Sequence, residues 1–326
     1  MCNNQQCGKI HQQDRALSSG PIGNSMAEQE KPTICDYEGS TYRTDFWEGK
    51  GREYEDRVER IAIRRLLPPT GDRIMEVGAG FGRLAPLYAG YKQVVLLDYS
   101  RSQLEFARQQ YGDERFLYVA ANVYQMPFAP AVFDQVVMVR VLHHMQDPLA
   151  ALQSIQQTMR RGGVFVLEFA NKHNLKAIAR WLLRRQSWNP FERQPVEFAE
   201  LNYDFHPRYV HDTLLAAGFQ PRRTLTVSHF RLGLIKRIVP PGVLSAFDSL
   251  LQPTGNLFQL SPSVFVRSEA VGEEGLAPVG AFWRCPVCGS YDLTEVSDGL
   301  ICKGCTRKWA KQQGIYNFKE PAGEQV

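Results

Sequence analysis

Several sets of side chains in this chain have types and spacings that could do chemistry. The first is Glu76-Val-Gly-Ala-Gly-Phe-Gly82, an acid followed by alternating glycines. Ile74 to Val77 reads as a short buried strand, and the glycines make a turn that lets a ligand approach the backbone closely. From Leu84 onward the pattern reads as a helix, whose free first-turn N–H groups would point at such a ligand. The second is Asp98, twenty residues past Gly78 and directly after the apolar run Val94 to Leu97. An acid at the end of a second strand can accept both hydroxyls of a ribose. The third is His143-His144, since imidazole titrates near neutrality and can serve as base for an oxygen acceptor. His143 is the preferred candidate because it lies nearer the strand end; the alternative is that the pair packs or bonds to backbone. The fourth is Cys285, Cys288, Cys302 and Cys305, two C-x-x-C turns with thirteen residues between them. Four thiolates complete a tetrahedral zinc site with no open position, so the metal there would be structural.

The glycine turn departs from the dinucleotide fingerprint G-x-G-x-x-G. Its third glycine comes one residue early, and Arg83 stands where that fingerprint wants glycine. Glu76 beside the turn would repel a pyrophosphate and suits a cation. S-adenosylmethionine carries an ammonium and a sulfonium and no phosphate. With Leu97-Asp-Tyr-Ser100, the acid and glycine turn resemble the first two motifs of class I S-adenosylmethionine-dependent methyltransferases. The resemblance spans roughly residues 40 to 270 and implies S-adenosylmethionine as cofactor. Carried onto this chain, it implies contacts from Glu76, Gly78, Ala79, Gly80 and Gly82, then from Asp98 and Tyr99. It adds Asn122, Val123 and Arg140. The family usually has Asp at the position of Asn122, where it binds the adenine amino group; an Asn oxygen can accept the same bond.

The elements that must position these groups alternate. Strand-like runs at Gln93–Leu97, Phe116–Ala120, Val136–Val139 and Val164–Phe169 are separated by helical patterns, including Arg101 to about Gln110 after the N-cap Ser100 and Leu149–Met159. Further strands are expected at Arg223–Val227 and Ser263–Val266. The fold class is α/β: a doubly wound, mostly parallel seven-stranded Rossmann-like sheet with a small C-terminal zinc ribbon. An amphipathic helix with Arg57, Arg60, Arg64 and Arg65 precedes the first strand and ends at Pro68-Pro69. Tyr42, Phe46, Trp47, Arg52 and Tyr54 lead into it, either to pack on the sheet or to close over the cofactor.

The domain plan has a disordered tail over 1–33, where Cys2 and Cys7 lie, and a methyltransferase domain over 34–268. That domain carries helical cap insertions at about 171–200 and 232–260. A linker follows over 269–281, then a zinc ribbon over 282–320. In the first insertion Lys172, Lys176, Arg180 and Arg184 recur every four residues and share a helix face. That helix either meets a membrane surface or an anionic substrate, or is a solvated face on a lid. The ribbon, with Lys308-Trp309 and Gly314-Ile-Tyr-Asn-Phe318, resembles the small zinc-ribbon activators that partner tRNA and protein methyltransferases.

Apolar content of 44% and charge content of 22% describe a globular chain with an ample core, and a net charge of +4 neither demands nor excludes nucleic acid. No apolar run approaches the ~20 residues that span a bilayer. Met1 to Gln13 lacks the apolar centre of a secretory signal, so a cytoplasmic location is expected. No cysteine lies between Cys35 and Cys285, which removes the nucleophile that carbon-5 pyrimidine methyltransferases need. Arg140-Val-Leu-His143 stands where enzymes methylating exocyclic amines of bases resemble one another in an Asn/Asp-Pro-Pro-aromatic tetrad. The leading expectation is methyl transfer to a small or lipid-like acceptor, with peripheral membrane contact open. One alternative is an RNA or protein methyltransferase that docks through the ribbon. Another is a non-catalytic interaction module keeping the fold.

Overall fold

The computed structural model describes residues 32–40, 47 and 51–322. The tail expected over 1–33 lies outside the described residues up to residue 31, as do Tyr42 and Phe46.

Helix α1 (Glu53–Leu66) places Glu53, Glu55 and Asp56 in its first turn and Arg64 and Arg65 in its last, complementing the helix dipole at both ends. Tyr54, Val58, Ala62, Ile63 and Leu66 form its buried face. Strand β1 (Gly71–Val77) follows, buried from Ile74 to Val77 without alternation, as a parallel strand covered on both sides must be. Then come β2 (Tyr91–Asp98), α2 (Arg101–Tyr111) and β3 (Phe116–Ala120). The Ser100 hydroxyl caps α2 by accepting from Gln103 N. Next are β4 (Phe133–Met138), α3 (Pro148–Thr158), β5 (Met159–Ala170) and α4 (Leu175–Leu182). A small hairpin of β6 (Val196–Ala199) and β7 (Asn202–Asp204) leads to α5 (Pro207–Ala216) and β8 (Phe219–Val227). Helices α6 (Gly233–Ile238) and α7 (Pro241–Leu251) precede β9 (Ser263–Ala270). Last come β10 (Leu293–Val296), β11 (Gly299–Cys302), β12 (Lys308–Gln312) and β13 (Ile315–Asn317).

The sheet order is β10-β11-β12-β13-β3-β2-β1-β4-β5-β9-β8. Strands β3, β2, β1, β4 and β5 are parallel, and β9 runs antiparallel to both β5 and β8. Seven of these strands, β3-β2-β1-β4-β5-β9-β8, precede the cysteine-bearing segment, and its four strands extend the sheet to eleven. The ribbon does not stand apart; it continues the sheet. β13 pairs in parallel with β3, Ile315 opposite Tyr118 and Asn317 opposite Ala120. Phe318 N extends the pairing by donating to Ala120 O at 2.7 Å. The turn from β12 to β13 uses Gln313 at φ 50° and Gly314 at φ 74°, the left-handed pair that a two-residue hairpin requires. Trp283 stacks on Phe128 at 5.6 Å between centroids, while Ala129 N donates to Phe282 O and Arg284 N to Pro127 O. Trp309, Tyr316 and Phe318 accordingly share one buried core with Met75, Val95 and Phe133.

A correction concerns the glycine turn. No α-helix follows it; the chain makes only a 3₁₀ turn, Ala85–Tyr88, with Pro86 near its start. Eight residues separate Gly82 from Tyr91, too few for a helix and a return. Gly90 closes the space: a Cβ there would lie 2.1 Å from Pro69 O. Among the described residues no helix is long and apolar enough to cross a membrane.

Candidate cofactor cleft and cysteine cluster

β1 is flanked by β2 on one side and β4 on the other, so chain direction through the sheet reverses beside it. The carboxyl ends of strands at such a point leave a crevice. Here that crevice is a cleft open to solvent at its mouth. Its floor is Glu76 to Gly80 from the end of β1. One wall is Asp98 and Tyr99 from β2, with Ala121 and Val123 after β3. The other is Arg140, Val141, His144 and Met145 after β4. Ile34, Cys35, Tyr37 and Trp47 also line it. Of the residues singled out from sequence, Glu76, Gly78, Ala79, Gly80, Asp98, Tyr99, Val123 and Arg140 are thus brought together. Gly82, Asn122 and His143 are not part of this lining.

The glycines do different jobs. Gly78 has φ 71°, and a Cβ there would meet Val141 Cγ2 at 2.1 Å. Gly82 has φ 77° and abuts Tyr111 and Ala107 of α2, so its role is packing. Gly80 has φ 54° and nothing within 4 Å of where a Cβ would sit, leaving room for a ligand against the backbone. Three N–H groups of this loop are already used. Gly78 N and Ala79 N both donate to Leu97 O, and Gly80 N donates to Asp98 Oδ2 at 2.7 Å. The expectation of helix-terminal donors aimed at the ligand is corrected accordingly. Such a loop is no anion nest, which disfavours a phosphate at this spot.

Glu76 is 4% exposed, and its Oε2 has no hydrogen-bond partner among the described residues. Tyr88, whose hydroxyl is also buried and unpartnered, lies beside it outside hydrogen-bond geometry. Burial pushes the Glu76 carboxyl up to about 8, against the pull of Arg83. A buried carboxyl without a partner is costly unless something cationic arrives. Asp98 accepts from Gly80 N through Oδ2 and from Ser100 N through Oδ1. Burial raises it to about 6 although both backbone donors favour its charge. Asn122 Oδ1 accepts from Tyr124 N at 2.9 Å in a local turn, so that oxygen is engaged and the amide nitrogen remains.

The wall at Arg140 contains residues that sequence reasoning missed. Glu59 on α1 is fully buried and bridges two guanidiniums. Its Oε2 accepts from Arg83 at 2.8 Å and its Oε1 from Arg140 Nε at 2.9 Å. Burial opposes the charge, but Arg140 and Arg83 outweigh it and hold Glu59 at about 2. The Trp47 ring lies 4.0 Å from the Arg83 guanidinium carbon and 5.0 Å from that of Arg140. Arg140 itself sits at φ 61°, with its N–H fixed by Glu168 Oε2 at 2.8 Å. Glu59 reads in sequence as one more acid on a charged helix, and nothing in its spacing marks it as buried. Arg83 carried a signal, as the residue that breaks the dinucleotide pattern.

His144, not His143, lines the cleft. Its Nδ1 faces Leu201 O at 2.9 Å and must donate there, so the neutral ring's Nε2 accepts from the Tyr37 hydroxyl at 3.0 Å. The His143 ring packs on His144 with centroids 4.0 Å apart. Burial, then His144, Arg140 and Arg231, hold His143 well below the usual imidazole range, so it is neutral.

At the far end, the Cys285 and Cys305 sulfurs lie 3.7 Å apart and those of Cys288 and Cys302 3.5 Å apart. All four sulfurs fall within 4.8 Å of one another. A tetrahedron with metal–sulfur bonds of ~2.3 Å has edges of about 3.8 Å, so the donor set fits a zinc-sized ion.

Residues 75–167 match the family described as a methyltransferase domain. An O-methyltransferase of Penicillium expansum is 30% identical over 151 residues, 43% of this chain and 55% of that protein. A demethylmenaquinone methyltransferase of Clavibacter sepedonicus is 32% identical over 119 residues, 35% of this chain and 49% of that protein. The chain thus spans about half the length of these curated relatives. A solved S-adenosylmethionine-dependent methyltransferase of Thermotoga maritima is 17% identical, with a TM-score of 0.48, over 70% of this chain and 94% of that one. Residues 75–167 thus match a methyltransferase domain, followed in the chain by a four-cysteine cluster able to chelate a metal.

Proposed function

We propose that this protein transfers a methyl group from S-adenosylmethionine to a small or lipid-like acceptor. The observation that carries the reading is the buried Glu76 carboxyl, its Oε2 without a partner among the described residues, at the floor of a cleft where Gly78, Ala79 and Gly80 N–H already have acceptors. That combination suits a cationic nucleoside without phosphate. Glu76 would face the ligand's positive charge. Asp98 would accept the ribose hydroxyls, and Tyr99 and Val123 would flank the adenine, with the Asn122 amide nitrogen free to donate to a ring nitrogen. The names of the curated relatives, an O-methyltransferase and a demethylmenaquinone methyltransferase, support an acceptor of this class.

When bound, S-adenosylmethionine supplies an electrophilic methyl group on a sulfonium and leaves as a neutral thioether. The protein's work is then to position the acceptor and exclude water. Trp47, stacked over Arg83 and Arg140, closes one side of the cleft. His144 is poorly placed to take a proton because both ring nitrogens are engaged. His143 does not line the cleft and is held well below the usual imidazole range, so neither histidine is assigned as a base and the reading rests on positioning alone. The four cysteines would hold zinc structurally, with no coordination position left for substrate.

Calorimetry with S-adenosylmethionine, followed by transfer of its labelled methyl group into extracted metabolites and lipids, tests the reading. Absence of binding at millimolar cofactor would refute it. Binding with label appearing only in RNA or protein would keep the cofactor site and replace the acceptor class.

A further inference from the structure

The insertions turn leucines toward solvent alongside several of their cations. On α4, Leu175 is 63% exposed and Leu182 67%, with Ala179 exposed between them. These positions, i, i+4 and i+7, share one helix face, and Leu183 beside it is 64% exposed. Arg180 is the residue turned inward, its Nε buried. The same inversion recurs on α7. Leu244, Ser245 and Asp248 face inward, while Val243, Phe247 and Leu250 form an exposed apolar stripe, Leu250 being 75% exposed. Beyond it Leu257 and Phe258 are exposed as well. The two regions join: Leu175 N donates to Leu260 O at 2.9 Å, and Asn171 Nδ2 donates to Gln259 O and Ser261 O. Apolar exposure this concentrated is uncommon on a free monomer and marks a contact surface.

Charge says what it contacts. Residues 171–191 hold Lys172, Lys176, Arg180, Arg184 and Arg185 and no acid. Lys176, Arg184 and Arg185 are exposed, and none of them has an ion pair among the described residues. Residues 232–260 contain a single acid, Asp248, which is buried and bonded to Tyr54 and His229. The exposed acids of the first insertion, Glu192, Glu197 and Glu200, come after α4 and its basic turn; exposed leucines beside cations without ion pairs among the described residues suit an anionic lipid surface.

We propose that the two insertions together rest on an anionic bilayer, with their leucines in the headgroup–acyl boundary and Lys176, Arg184 and Arg185 at the headgroups. This does not depend on the methyl-transfer reading, and either can fail without the other. The test is co-sedimentation of the full-length, zinc-loaded protein with vesicles of phosphatidylglycerol in phosphatidylcholine, against phosphatidylcholine alone. The wild type should bind the anionic vesicles and lose binding as salt is raised. Leu182→Ser and Leu250→Ser should each weaken it roughly tenfold, and Arg184→Ser and Arg185→Ser each about fivefold. Leu276→Ser, 94% exposed but outside both insertions, should change nothing. Circular dichroism and melting curves identify any variant that fails to fold. No binding by the wild type, equal binding to neutral vesicles, or equal loss in Leu276→Ser would overturn the proposal. So would a dimer in sedimentation equilibrium that the leucine substitutions disperse without any vesicle binding, which would assign the face to a second copy.

Discussion

Replacing Glu76 by Gln tests the cleft at its floor. In the ligand-free protein burial lifts this carboxyl from an ordinary 4.5 to about 8. The sign follows from proton counting. Between those values the folded protein holds a proton that the unfolded chain has released, so stability falls as pH rises through 4.5 to 8. Each unit is worth 1.36 kcal/mol, and the full interval gives an upper figure of about 5 kcal/mol. Gln carries no charge to desolvate. We expect Glu76→Gln to be more stable than the wild type at pH 8, by about 1–5 kcal/mol, with little difference at pH 5. Cofactor affinity should move the other way. An opposite charge across ~4 Å in a partly shielded site is worth up to about 4 kcal/mol, so loss of the carboxylate should weaken binding by about 10- to 100-fold. Binding a cation should also expel the proton from Glu76. For the wild type, log affinity should rise by about one per pH unit between 6 and 8, and the variant should lack that slope. Thermal melts at pH 5 and pH 8, with calorimetry in two buffers of different ionisation enthalpy, read all three effects. A wild-type affinity flat in pH, or a variant that binds equally well, would show that Glu76 does not face the cofactor's charge.

Asp98→Ala should lower S-adenosylmethionine affinity about 100-fold by calorimetry, two charge-assisted bonds being worth roughly 3 kcal/mol; far-ultraviolet circular dichroism should show the fold retained. Glu59→Gln leaves Arg83 and Arg140 without their shared buried carboxylate and should cost about 3 kcal/mol in denaturant unfolding. Because Glu59 is held at about 2, the wild type should keep that contribution above pH 4.5 and lose it only as pH falls toward 2. Metal removal by chelation, or Cys302→Ser, should lower the melting temperature and change the fluorescence of Trp283 and Trp309, which join the ribbon to the sheet. Unchanged melting and emission after verified metal loss would refute a structural metal.

What was legible in the sequence was whatever depends on local pattern. The apolar runs of β1, β2, β4 and β5 are continuous because parallel strands are buried on both faces, and continuity survives without knowledge of the fold. Ser100 announces α2 because an N-cap is a one-residue device. Asp98 and Glu76 stood out because an acid closing an apolar run is locally conspicuous. What stayed hidden depends on distant neighbours. Pairing of β13 with β3 joins residues about two hundred positions apart, and Ile315-Tyr-Asn317 reads equally well as the last strand of a free ribbon. Glu59 acquires its role only when Arg83 and Arg140 converge on it. The orientation of α4 was also illegible, because periodicity defines two faces of a helix without telling which one the core takes. The basic series splits: Lys172 and Arg180 turn in while Lys176 and Arg184 stay out beside the exposed Leu182.

The two edges of the sheet explain why one chain would carry both a cysteine cluster and apolar insertions. Without the ribbon β3 would be a bare edge, a template for pairing with another chain. β13 covers it, and the covering strand ends beside the cleft: Phe318 N bonds Ala120 O, next to the lining residue Ala121. One residue on, Lys319 Nζ lies 4.0 Å from the centroid of the Tyr99 ring and 3.3 Å from Asp36 Oδ2. The cysteine-bearing segment therefore reaches a wall of the cleft through the β13–β3 pairing and one cation. Loosening it should weaken S-adenosylmethionine binding even though no cysteine touches the cleft. Lys319→Met separates this contact from general stability, since it removes the cation and leaves the strand pairing. If Lys319→Met binds cofactor as tightly as the wild type while Cys302→Ser does not, the coupling runs through the strands; if both weaken it, it runs through the Tyr99 wall.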